Sequence, residues 1–66
     1  MAKQFEAAKA VFVAAAARHP MYADTFGTFT DARAAAEAEG ATGSDATMVA
    51  IAAWDEFVSE REAATA

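Results

Sequence analysis

The sequence predicts a small all-α protein built as a bundle of three helices. Alanine, the residue with the highest intrinsic helix propensity, supplies 22 of the 66 residues. The larger apolar residues recur at spacings of three and four, which place them on one side of a helix. No segment alternates apolar and polar residues in the way that a half-buried strand does. We therefore expect a single small helical domain over 1–66, with helices at about 2–18, 20–39 and 45–63.

The first predicted helix, 2–18, contains no Gly or Pro and has apolar residues on two faces. Phe5, Ala8 and Phe12 fall together at 100° per residue, as an ordinary core-facing stripe does. The opposite side carries a second stripe, made of Ala7, Ala10, Val13, Ala14 and Ala17. Such a stripe is either filler on a solvent face, because alanine favours helices, or a surface that another helix can approach closely. The second interpretation extends by analogy a rule drawn from membrane helices.

The second predicted helix begins at Pro20. A residue before proline is driven out of the α conformation, so the first helix ends near Arg18 and proline takes the favoured first position of the next. One face of the region 20–39 carries Tyr22, Phe26, Phe29, Ala32 and Ala36. Gly27 lies within this region and costs about 1 kcal/mol relative to alanine. The helix is therefore either continuous or kinked at Gly27, or broken there with Thr28 as the N-cap of a new helix.

Residues 39–45, EGATGSD, form the only clear loop in the sequence. Gly40 suits the left-handed position after a helix, and Ser44 or Asp45 suits the N-cap of the next one. The third helix, about 45–63, gathers on one face Ala50, Ile51, Trp54, Phe57 and Val58. Its other side carries Asp55, Glu56, Ser59, Glu60 and Glu62. This pattern indicates an amphipathic helix with an acidic exterior.

The size of the chain limits the stability of the domain. A domain of this length buries only about 60% of the surface that its unfolded chain exposes. Apart from the 22 alanines, only 15 hydrophobic residues are available to fill a core. The absence of cysteine excludes disulfides and thiolate zinc sites, which stabilise many proteins of this size. Burial against another chain is therefore the simplest source of additional stability.

Charge and hydropathy disfavour several classes of partner. The net charge of −5 disfavours nucleic acids and anionic membranes, because both attract clustered Lys and Arg. A DNA groove would repel the third helix, whose only basic residue is Arg61. The apolar run 10–17 is too short to span a membrane, and Glu6 makes the first residues a poor signal peptide. We expect a cytoplasmic protein.

The segment 18–33 concentrates the residues that look most reactive. It holds the only histidine, the only proline and the only tyrosine of the chain. Catalysis by His19 would need Ser44, Ser59 or a carboxylate nearby, but a short helical chain offers neither a strained nucleophile turn nor an enclosed pocket. We expect His19 to close the first helix, where an imidazole can cap carbonyl groups. We expect no enzymatic activity.

The sequence predicts no metal or cofactor site. Carboxylate-bridged metals need paired Glu-x-x-His motifs and calcium needs a 12-residue oxygen loop, and the sequence contains neither. The glycine-containing run 40–44 lacks the lysine and the preceding strand of a phosphate loop. The carboxylates of the last helix spread over a solvated face. We therefore expect no metal, no cofactor and no small-molecule substrate.

We expect instead a non-enzymatic protein–protein interaction module that self-associates or acts as a small accessory subunit of a larger assembly. The predicted contact residues are Ala7, Ala10, Val13, Ala14, Ala17, Trp54, Phe57 and Arg61. Trp, Phe and Arg are enriched in binding hot spots, although the two aromatic residues also fit a core with the arginine lying over a ring. The alternative is an acidic inhibitor that occupies the basic, nucleic-acid-binding groove of a partner protein.

Overall fold

The chain forms the predicted three-helix bundle. A computed structural model describes residues 2–18 and 26–65. The helices are α1, Ala2–Arg18; α2, Phe26–Ala38; and α3, Gly43–Thr65. Each helix packs against the other two, and no strand occurs in the described ranges. With 23 residues at about 1.5 Å per residue, α3 is the longest of the three helices.

α1 has its predicted bounds and buries its predicted inner stripe. Ala8 is 0% exposed and Phe12 is 1% exposed, while Phe5 is half-buried against the same core. Phe12 is the largest fully buried side chain of the described residues. The aromatic ring of Phe12 is thus the centre around which α1 contacts the rest of the bundle.

α2 is helical at Gly27, whereas the residues before Phe26, which would show whether the predicted helix is continuous there, lie outside the described part. Phe26 and Gly27 are already helical, so the alternative in which Thr28 caps a new helix is wrong. Ala32 and Ala36 are fully buried on the predicted inner face of α2. The predicted start of this helix lies outside the described residues, as do His19, Pro20 and Tyr22.

The turn after α2 confirms the predicted left-handed glycine. Gly40 has φ +104°. The N–H of Gly40 donates to the carbonyl of Glu37 at 3.0 Å, and the N–H of Ala41 donates to the carbonyl of Ala36 at 3.1 Å. These two bonds define a Schellman motif. Ala36 and Ala41 are both buried, so the turn also closes one end of the core.

α3 begins two residues earlier than predicted. The N–H groups of Asp45 and Ala46 donate to the carbonyl of Thr42 at 2.9 and 3.4 Å. Thr42 therefore occupies the N-cap position, and the predicted cap at Ser44 or Asp45 is wrong. Asp45 lies in the first turn of α3 instead, where its carboxylate faces the positive end of the helix dipole.

Alanine makes up most of the core. Among the described residues, Phe12 and Phe57 are the only large side chains that are buried. The buried residues are Ala8, Phe12, Ala32, Ala36, Ala41, Ala46, Ala50, Ala53 and Phe57. Since the spacing of packed helices depends on the side chains at the contact, alanine lets these helices lie close together.

The prediction for the inner face of α3 misplaced one residue. Ile51 is 47% exposed, although the sequence pattern placed it beside Trp54 and Phe57. The buried stripe of α3 consists of Ala46, Ala50, Ala53 and Phe57. At 100° per residue, Ile51 lies about 130° from the centre of that stripe. The small residues, and not the large ones, face the core along most of α3.

Candidate interaction surfaces

The second stripe of α1 is a largely exposed surface. This α1 outer face consists of Ala7, Ala10, Val13, Ala14 and Ala17. Ala7 is half-buried and the other four are exposed, with Val13 at 51%. The four exposed residues, together with Glu6 and Lys9, line a shallow, nearly flat patch that lies on α1 alone. The structure therefore places these five predicted contact residues on one surface.

Lys9, at the edge of this patch, links α1 to α3. Its ammonium Nζ donates to Glu60 Oε2 at 2.7 Å and to Glu56 Oε1 at 3.4 Å. The two carboxylates lie one helical turn apart, so one lysine bridges both. Two carboxylates of the predicted acidic exterior are thus engaged inside the chain.

Electrostatic contacts keep this link charged over a wide pH range. The hydrogen bond to Glu60 raises the pKa of Lys9 above its ordinary 10.5, and this effect exceeds the opposing effect of partial burial. The hydrogen bond from Lys9 lowers the pKa of the Glu60 carboxyl below its ordinary 4.5. Both side chains are therefore ionised throughout the neutral range.

The aromatic residues of α3 pack against α1. The ring of Phe12 lies 5.2 Å from Trp54 and 6.0 Å from Phe57, measured between centroids, which is an ordinary range for interacting rings. Phe57 is 7% exposed, whereas Trp54 is half-buried. The guanidinium of Arg61 lies 5.2 Å from the centroid of Phe57, within cation–π range. The contact of Trp54, Phe57 and Arg61 with a partner stays a prediction. Of these three side chains, Phe57 has the smallest exposed fraction.

A second exposed surface lies on α3, where Met48 and Ile51 unexpectedly join residues of the predicted acidic exterior. This α3 outer face consists of Met48, Ile51, Ala52, Asp55, Ser59 and Glu62, all of them exposed. Met48 is 66% exposed, which makes it the most exposed large apolar residue in the described part of the chain. The signal that reveals this face is the alanine stripe Ala46, Ala50 and Ala53. Once that stripe points inward, Met48 and Ile51 must point outward.

The described residues offer surfaces for function and no enclosed polar site. None of their buried side chains is polar or charged, and no three of their potential metal ligands converge. None of the described helices is both long and apolar enough to cross a bilayer. The two outer faces are therefore the candidate functional features of this part of the chain.

No protein-family model, curated protein or solved structure matches this chain in comparisons with known proteins. The function is therefore inferred from the geometry and chemistry of its surfaces.

Proposed function

We propose that this chain is a cytoplasmic, non-enzymatic protein–protein interaction module that self-associates or serves as a small accessory subunit of a larger assembly. The observation that carries the proposal is the α1 outer face. Ala10, Ala14 and Ala17 form an open patch of small residues beside Val13, an apolar side chain that is about half exposed. By analogy with membrane helices, small residues of this kind let a second helix approach the backbone closely.

The composition of the core supports the same proposal. Among the described residues, only Phe12 and Phe57 are buried large side chains, while Phe5, Phe29 and Trp54 are partly exposed. A partner that covers apolar surface stabilises the folded chain by roughly 25 cal/mol for each Å² removed from water. A bundle with so few large buried residues therefore gains more from association than a larger domain does.

The alternative of an acidic inhibitor receives less support. Glu56 and Glu60 already bind Lys9 of the same chain, so they present less charge to a basic partner. Salt distinguishes the two functions. A complex held by exposed carboxylates weakens steeply as salt screens them, whereas one held by apolar contacts changes little.

The test is light scattering over a concentration series, with circular dichroism recorded in parallel. We expect concentration-dependent association of the wild-type chain. Replacing Ala10 and Ala14 together with glutamate should abolish it while helix content is retained, because the substitutions place unpaired charge in the contact.

The matched control is the double variant Ala34→Glu and Ala38→Glu. Both positions are exposed on α2, away from the α1 outer face, and the added charge is the same. This variant should associate like the wild type. If the variant with Ala10→Glu and Ala14→Glu still associates, the α1 outer face is not the contact surface.

A further inference from the structure

We draw no further inference here: the strongest candidate, the exposed surface patch around Met48 and Ile51 on α3, carries nothing because nothing in the structure shows what covers it.

Discussion

The inner and outer faces of α1 contain the same residue type in opposite environments. Ala8 on the inner face is fully buried, whereas Ala10 and Ala14 on the outer face are exposed. On the inner face alanine allows close contact between helices, and on the outer face it is exposed to solvent. The position of an alanine on the helix, and not its identity, decides which of these roles it has.

α3 presents the same contrast with large residues. Its buried stripe contains Ala46, Ala50 and Ala53, while Met48 and Ile51 face solvent. Transfer from water favours burying the larger side chains, at about 0.8 kcal/mol for each buried CH₂ group. Their exposure shows that close approach of the helices, and not the burial of every large side chain, governs this part of the bundle.

The largest effect is expected when a buried alanine is enlarged, and the same change at an exposed alanine provides the comparison. Ala50→Leu inserts a branched side chain into a fully buried position, and we expect a loss of about 1–3 kcal/mol in the free energy of unfolding. Ala14→Leu makes the same change at an exposed position, and we expect a change within about 0.5 kcal/mol. Urea denaturation at a low protein concentration measures both values. Equal losses in the free energy of unfolding would show that the buried position on α3 and the exposed position on α1 do not differ in packing.

Two glycines extend the comparison to the backbone. Gly40→Ala places a Cβ on a residue with φ +104°, and we expect a loss of about 1–2 kcal/mol. Gly27→Ala lies in helical α2, where a Cβ would meet nothing within 4 Å, and we expect a gain of up to about 1 kcal/mol. Thermal unfolding compares the two variants directly. A loss at Gly27 of the size seen at Gly40 would contradict a helical Gly27.

The smallest effect is expected for the ion pair that joins α1 to α3. Lys9→Gln removes both contacts of the ammonium, which are exposed and screened by salt. The wild type should therefore have only a slightly higher Tm than the variant near neutral pH. Raising the salt concentration should reduce this difference.

The pH dependence of that difference follows from the two pKa shifts. Because the pKa of Glu60 is lowered, its contribution is present above 4.5 and is lost as the pH falls through the lowered pKa. Because the pKa of Lys9 is raised, its contribution is present below 10.5 and is lost as the pH rises through the raised pKa. If the Tm difference persists in strong acid, packing of the aliphatic part of the Lys9 side chain, and not the ion pair, explains it.

Much of the fold could be predicted because it depends on local chemistry. The end of α1 near Arg18 and the left-handed Gly40 each depend on a few neighbouring residues. The cap of α3 was misassigned because Thr42, Ser44 and Asp45 are all good N-cap residues, and only the backbone bonds to Thr42 choose among them. The α1 outer face could be predicted from helical spacing alone, whereas the exposure of its residues could not.

The sequence by itself determined that this chain is helical and which residues share a face of each helix, because helical periodicity is a local property. Only the tertiary structure decided that the alanine stripe of α3 is buried and that Met48 and Ile51 are exposed. It also decided that Lys9 bridges two glutamates, one of them 47 residues away in the chain. Such contacts depend on how the helices are placed against one another. That placement results from the packing of all three helices together, and no single segment encodes it.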